Sequence, residues 1–590
     1  MNQYTLPDGS PTRALELEQV RNEYEYLYTY SAPIVKEYKQ RDKASSIWTL
    51  KVVRALFSIR KNTEAVVDNL PYKFTNPIPQ TSKLDILGYF RNSDLKNIFL
   101  HYNPDLGPII PNGRPNEIGE YEQLFQTFDK PYTLDIGLTD EYFGYSYVGG
   151  MNPATHSKMT EIPAKLDLTQ DRLNRAPGFQ SDNLEMALRE GRIFYTDYEA
   201  LGVLSNGFHP QAKKYIYQPI VVLGIPRSGE RKLQPIMIQC GQDPARDAVF
   251  SPDEGYNWKG AKVVAAAAHN SHHEMLTHLG FTHLVMEPIT IATRRHLHED
   301  HPIYGLLNPH LEGTLPINSL AINKLIQKDE SVDRLVGSEI NSNYALIGQQ
   351  RLSFQYRANF FPERMARQGL TEKDGSGRYI LEQFPYRDDG YLIWEAVKSW
   401  VTDYINYYYS DNSKVMSDYE LQNWGLEIAT RGKVQGFLEQ KADGDFEMIR
   451  TKQELMDLLT MAIFTAGPQH AAVNFPQKTD GAYLPAVPLS GYQPAPQKGQ
   501  TMREKDWLAM FPPLDVALRQ AQTMTFLGSV YHTTLGHYGP FYFKDDGVRE
   551  LQMKFVNRLK DIEKVIDRRN QNRREYNHLK PSHIPQSVNI

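Results

Sequence analysis

Cysteine is nearly absent. Cys240 is the single one in 590 residues, so the chain can form no internal disulfide and can build neither a thiolate zinc site nor an iron–sulfur cluster. Any metal must be held by histidine, asparagine, carboxylate or backbone oxygen. Long apolar runs are missing too: stretches such as Val263 to Ala268 fall far short of the roughly 20 residues that span a bilayer. The opening MNQYTLPDGS lacks the charged-then-apolar layout of a secretory signal. The expectation is a cytoplasmic protein, with peripheral membrane contact left open. With 65 Lys+Arg against 70 Asp+Glu, and a net charge of −5, no basic field points to nucleic acid. There is no P-loop, no GxGxxG fingerprint and no GxSxG elbow, which weakens nucleotide-binding, dinucleotide-binding and hydrolase readings.

What is present is an ordinary globular composition, 41% hydrophobic and 23% charged, with no internal repeat and no low-complexity linker. A monomer is expected. From Pro11 to about Leu70 the apolar residues recur at three- and four-residue steps, a helical pattern. Within it, SIWTLKVVRALFSIRKN sets Lys51, Arg54, Arg60 and Lys61 around an apolar stripe that includes Trp48 and Phe57. Such a stripe suits a membrane-surface helix, and equally a helix facing a core. Between about 191 and 241 the period shifts toward two, in RIFYTDYEAL, KKYIYQPIVVLGI and RKLQPIMIQC, predicting a small antiparallel sheet. From Asp253 to about Arg569 the pattern is again mostly helical. We therefore divide the chain into an N-terminal helical extension (1–75) and one mainly α catalytic domain (76–590) carrying the β-subdomain.

Nine of the 17 histidines, from His269 to His310, fall inside one stretch of 42 residues. At its centre His273, His278 and His283 are spaced five apart. Residues five apart on an α-helix are separated by about 140°, so two of them can share one ion only if the helix is locally underwound into a π-turn. The rival zincin motif HExxH needs its histidines four apart, and HHEMLTH is one residue too long. A second pair, His470 and Asn474 in AGPQHAAVNF, does align on one helical face, although isolated polar residues in an apolar helix are usually hydrogen-bonded core groups. Neutral nitrogen and oxygen donors suit iron, manganese, zinc or copper alike.

The run from His273 to Asn318 resembles the lipoxygenase signature His-x4-His-x4-His-x17-His-x8-His, here His273, His278, His283, His301 and His310. Further similarity lies in TDEYFGYSYVGGMNP (139–153), FPYRDDGYLIWEAVKSWV (384–401), DYELQNW (418–424), QHAAVNF (469–475) and the ending LKPSHIPQSVNI, so that the likeness runs from about 125 to 590. It implies a bacterial-type form without the N-terminal β-barrel that many members carry, and a lipoxygenase-type helical domain with a π-bulged metal-binding helix. The resemblance also implies a non-haem iron site, with manganese as the alternative, held by His278, His283, His470, Asn474 and the carboxylate of Ile590. Glu274 and Gln477 match positions that support the metal and link it to the substrate cavity. Ala321 matches the position that helps choose where and on which face oxygen adds. Leu325, Val332 and Leu527 match positions lining the fatty-acid channel; on pattern alone all four of these apolar residues are ordinary core. Ile322 stands where members often carry Arg just after the Ala, and Leu320 is apolar where some animal members carry a carboxylate-binding Arg, so the anchor for the substrate carboxylate is unassigned.

The implied activity is dioxygenation, by O2, of polyunsaturated fatty acids containing a cis,cis-1,4-pentadiene, such as linoleate or linolenate. In it an iron-bound hydroxide held by the ligands takes the bis-allylic hydrogen. The alternatives are a hydroperoxide isomerase of the same family and a metal-containing lipid-binding protein without catalysis.

Overall fold

The computed structural model describes residues 3–29, 32–42, 45–70, 113–209 and 212–590; the boundary expected between 75 and 76 lies outside them. The architecture is mainly helical with small antiparallel sheets. Helix α1 (Pro11–Glu23) leads into a hairpin of β1 (Tyr26–Thr29) and β2 (Ala32–Val35), and α2 (Ser46–Asn69) follows. The hairpin departs from the helical reading of 11–70. Pro33 disfavours a helix interior, and the pairing of Tyr26 with Val35 and Tyr28 with Pro33 gives the aromatic and β-branched residues a pleated surface.

This N-terminal stretch is built into the core. Tyr24 and Val35 pack with Ile291 and Leu315, while Trp48, Val52, Leu56 and Ile59 of α2 join the main apolar core. Trp48 is 2% exposed, so the core-facing reading holds for that residue. Asn62 Nδ2 donates to Leu124 O at 2.9 Å, and Gln522 Nε2 donates to Thr63 Oγ1 at 2.7 Å, ending the polar side chains of α2 on groups of the larger body.

The predicted sheet is present as β4 (Ile193–Asp197), β5 (Ile220–Gly224) and β6 (Gln234–Gln239), flanked by the two-residue strands β3 (Ser157–Lys158) and β7 (Val249–Phe250) in the order β3-β4-β5-β6-β7, all antiparallel. A register shift where Val222 faces Met237 and Leu223 faces Pro235 accommodates a proline that cannot donate to the ladder.

The central helical rod begins with α3 (Gly255–His272), continues as a π-helix over His273–His283, and resumes as α4 (Leu284–His296). Around it lie α5 (Thr314–Leu320), which runs into a second π-turn (Ala321–Leu325), then α6 (Ser331–Leu335), α7 (Pro385–Tyr408) and α8 (Tyr419–Thr430). The chain continues through α9 (Lys452–Phe464), a π-turn (Thr465–Gln469), α10 (His470–Asn474), another π-turn (Gln477–Gly481), α11 (Leu514–Leu527) and α12 (Asp546–Asn570). Local sequence sets the starts: Thr451 accepts from Glu454 N and Asp418 from Leu421 N, each capping a free helix donor. Pro468 inside one π-turn removes a backbone donor where the regular ladder is broken. None of the described helices is long and apolar enough to cross a membrane.

Candidate metal centre

Underwinding brings the five-spaced histidines onto one side of the rod. His278 Nε2 lies 3.2 Å from His283 Nε2, and His470 Nε2, arriving on α10, lies 3.2 Å from the same atom. The three rings are buried, with one nitrogen of each within 4.8 Å of the others. His273 sits beside this group: its ring stacks on His278 at 5.7 Å and 8°, and its Nε2 hydrogen-bonds Val473 O at 2.7 Å.

The tautomer of His283 follows from its partner. Asn318 uses its amide nitrogen to donate to Glu287 Oε2 at 2.7 Å and to His283 O at 3.1 Å, so the Oδ1 it presents to His283 Nδ1 at 2.7 Å accepts and the ring donates. His283 Nε2 is therefore a bare lone pair aimed at two other imidazoles. Burial pushes the imidazole of His278 down to about 3, and burial with the neighbouring rings pushes that of His283 to about 3 and that of His470 well below its usual value. Neutral rings converging on the bare His283 nitrogen make a candidate cation site, and the donor set fits a non-haem transition metal.

Two further groups come close. Asn474 is fully buried within hydrogen-bond reach of His278; its Nδ2 donates to Leu527 O at 2.8 Å and its Oδ1 accepts from Gln477 Nε2 at 3.0 Å. A main-chain oxygen of Ile590, 1% exposed, is within hydrogen-bond reach of the His470 ring. The tail that delivers it is tied down along its length. His310 Nδ1 donates to Gln586 O at 2.9 Å, Ser587 Oγ to Glu312 O at 2.7 Å, and the Trp48 indole to Asn589 O at 2.7 Å.

Glu274 Oε2 lies 3.8 Å from Nδ1 of both His273 and His278, and burial raises its carboxyl. Ala321, Leu325, Val332 and Leu527 are all buried. They sit on the π-turn after α5, on α6 and on α11, elements in successive contact, and the Leu527 carbonyl is linked to the histidine group through Asn474. A cavity of about 1280 Å³ lies elsewhere: Tyr145, Leu233, Phe384 and Arg568 help line it, and none of the site residues predicted from sequence does.

The remaining histidines of the cluster are engaged away from the centre. His301 accepts from Ile303 N at 3.1 Å and donates to Asp418 at 3.0 Å; His296 faces Glu427 at 2.6 Å and His298 faces Glu16 at 2.8 Å. Two residues that sequence reasoning passed over, Asn318 and Glu287, orient His283. Their one signal was a polar side chain set within each of two mostly apolar helical stretches, PINSLA and HLVMEPI.

A family model described as Lipoxygenase matches residues 119–588. The chain is 35% identical over 562 residues to the linoleate 9/13-lipoxygenase of Pseudomonas aeruginosa, across 92% of this chain and 78% of that protein. It is 31% identical over 492 residues to the Homo sapiens hydroperoxide isomerase ALOXE3, across 82% of this chain and 67% of that protein. Its fold is similar to that of a coral 8R-lipoxygenase with a TM-score of 0.84 at 23% identity, covering 100% of this chain and 83% of the coral one.

Proposed function

The chain belongs to the lipoxygenase family and is a dioxygenase-type oxidoreductase, and from that premise we propose that it dioxygenates polyunsaturated fatty acids containing a cis,cis-1,4-pentadiene, linoleate and linolenate among them. The observation that carries the reading is the convergence of three neutral imidazoles, from His278, His283 and His470, within one buried group. In this reading Asn474 and the Ile590 carboxylate complete the ligand set for iron, with manganese as the alternative. When bound, non-haem iron supplies the one-electron redox chemistry that removes a bis-allylic hydrogen and leaves a carbon radical for O2.

The protein's residues do the rest. Burial of the three imidazoles excludes water and keeps their lone pairs free. Asn318 fixes the tautomer of His283, Gln477 orients the Asn474 amide, and Glu274 borders His278 on the side away from the other rings. Leu325, Val332 and Leu527 hold the apolar chain by contact alone, and the small Ala321 side chain leaves room for oxygen at one carbon of the pentadienyl unit. At the surface, α2 presents Ile47 and Leu50, 63% and 57% exposed, beside Lys51, Arg54 and Lys61, an arrangement suited to peripheral contact with an anionic lipid surface. Trp48 takes no part in that face. Liposome co-sedimentation lost on Ile47→Ser/Leu50→Ser supports this contact; unchanged binding removes it.

Incubating the iron-loaded protein with linoleate while following conjugated-diene absorbance tests the activity. Diene formation supports dioxygenation, and chiral chromatography of the product from Ala321→Gly reads the role of Ala321, which fails if both proteins give one product. Diene loss from an added hydroperoxide, without formation from linoleate, assigns the chain instead to isomerase activity of the kind named for its human relative. Neither signal leaves a metal-containing lipid-binding protein.

A further inference from the structure

We propose that the N-terminal segment is a two-point brace on the metal centre, in which Glu287 and Asn318 position the His283 ring from strand β2 and Trp48 positions the Ile590 chain end from helix α2. The proposal rests on the metal reading above and adds residues and a purpose that neither the family resemblance nor the sequence pattern assigns.

The first point is a directed chain of hydrogen bonds. Val35 N–H donates to Glu287 Oε1 at 2.9 Å, Asn318 Nδ2 donates to Glu287 Oε2 at 2.7 Å, and His283 Nδ1 donates to Asn318 Oδ1 at 2.7 Å. Asn318 also accepts responsibility for the backbone of the same ligand, donating to His283 O at 3.1 Å. Each donor meets one acceptor, so the polarity of the chain is set from strand to ring. The surroundings are mixed: Tyr24, Val35, Ile291 and Leu315 form a separate small cluster of buried residues around Val35, while Ser319 and Asn323 share a small cavity with Glu287 and the buried Arg351 guanidinium acts on its carboxyl. A buried carboxylate among such neighbours costs stability unless every oxygen is engaged, and hydrophobic side chains of similar volume would fill the space without that cost. Packing alone therefore does not account for Glu287. Its hydrogen bonds end on the imidazole whose free lone pair faces His278 and His470.

The second point is a single bond. The Trp48 indole donates to Asn589 O at 2.7 Å, between residues 541 positions apart in sequence. Earlier ties of the tail act at Gln586 and Ser587; the Trp48 bond acts one peptide unit from the terminus. Both points join residues before position 70 to groups facing the same centre. Residues that orient metal ligands through hydrogen bonds typically account for about 10- to 100-fold in metal affinity.

The test is the rate at which iron is lost to a chelator, together with the electron paramagnetic resonance line shape of the resting protein, both read without substrate. Four variants are compared with the parent. Trp48→Phe removes the indole donor and keeps the ring. Trp424→Phe does the same at a buried indole that donates to Thr293 Oγ1 at 3.0 Å, remote from the site. Glu287→Gln turns one carboxylate oxygen into a donor that faces another donor. Asn318→Asp/Glu287→Gln exchanges the amide and the carboxylate, restoring the order of donors and acceptors from Val35 to the ring while giving up the bond to His283 O, so that rescue is partial. We expect iron loss to accelerate about 10- to 100-fold in Trp48→Phe and Glu287→Gln, to stay parental in Trp424→Phe whatever its thermal stability, and to return toward the parental rate in the double variant. Equal iron loss in the two tryptophan variants, parental retention in Glu287→Gln, or a double variant no better than Glu287→Gln overturns the brace. A parent protein that holds no metal sinks the metal reading itself, and is told apart by metal analysis before any variant is made.

Discussion

Two groups of histidines, drawn mostly from one dense run of the sequence, have opposite surroundings. In the first, His278, His283 and His470 face one another across 3.2 Å, and Nδ1 of His278 and of His470 has no hydrogen-bond partner among the described residues. In the second, His301 and His310 engage both ring nitrogens: His301 with Ile303 N and Asp418, His310 with Gln586 O and the Tyr538 hydroxyl. Both groups are buried. A histidine that satisfies both nitrogens on protein groups has no lone pair to offer and acts as a strut, whereas imidazoles that converge on the bare nitrogen of His283 are poised for a cation. Histidine density thus locates the region, and hydrogen-bond accounting separates its functions.

Exchanging one member of each group breaks the comparison most sharply. His278→Ala should fold yet lose metal by more than the roughly 10- to 100-fold that a supporting residue contributes, and lose turnover with it. His301→Ala should keep its metal while losing about 1.5 to 3 kcal/mol of stability, the worth of one hydrogen bond to a charged group, because Asp418 then keeps only its bonds from Tyr409 and Leu421 N. Metal analysis and thermal melts of the two proteins check this; metal lost from both, or from neither, collapses the distinction.

A smaller perturbation acts on the chain end alone. One residue added after Ile590 moves the carboxylate and substitutes a neutral peptide carbonyl, while an N-terminal tag leaves the site untouched. The extended protein is expected to fold with little bound iron. Full iron content and turnover in the extended form would remove Ile590 from the ligand set.

The smallest effect concerns a histidine in neither group. His156 is fully buried against Phe194 and Phe384, with no partner on either ring nitrogen among the described residues, and burial, reinforced by Arg387 and Arg364, pushes its imidazole down to about 3. The unfolded chain takes up a proton near the usual value of 6.5 that the folded ring refuses, so the contribution of His156 is complete above that pH and is lost as pH falls toward about 3. Glu287, Asp480 and Asp515, raised by burial to about 7, 6 and 7, act in the opposite sense by taking up protons first in the folded state. His156→Phe should flatten the acid limb of the stability curve by at most about 1.4 kcal/mol per pH unit. Denaturant titrations at pH 7 and pH 5 measure it, and parallel curves for the two proteins contradict the assignment.

How much of this was legible in the chain depends on the range of the physics involved. Five-residue spacing is a local matter, since helical geometry alone demands underwinding if His278 and His283 are to face one way, and the π-helix is there. The period-two stretches between 191 and 241 became strands for the same reason, and the four-residue step from His470 to Asn474 lies along one short helix. The N-terminal hairpin escaped notice because its strands are four residues each, too short for a periodic signal to outweigh the helices on either side. An amphipathic stripe also cannot tell which of its residues meets the core, so Trp48 and its exposed neighbours Ile47 and Leu50 read alike until packing separated them.

By itself, the sequence determined the donor chemistry, the underwound helix, the sheet and, through its resemblance, the family. Only the tertiary structure decided which histidines keep a free lone pair, that a carboxylate at 287 speaks to an imidazole at 283 through an asparagine 31 positions on, and that a tryptophan near the start of the chain holds its last peptide unit. Those outcomes depend on which buried donor meets which acceptor across hundreds of residues, and no local periodicity carries that information.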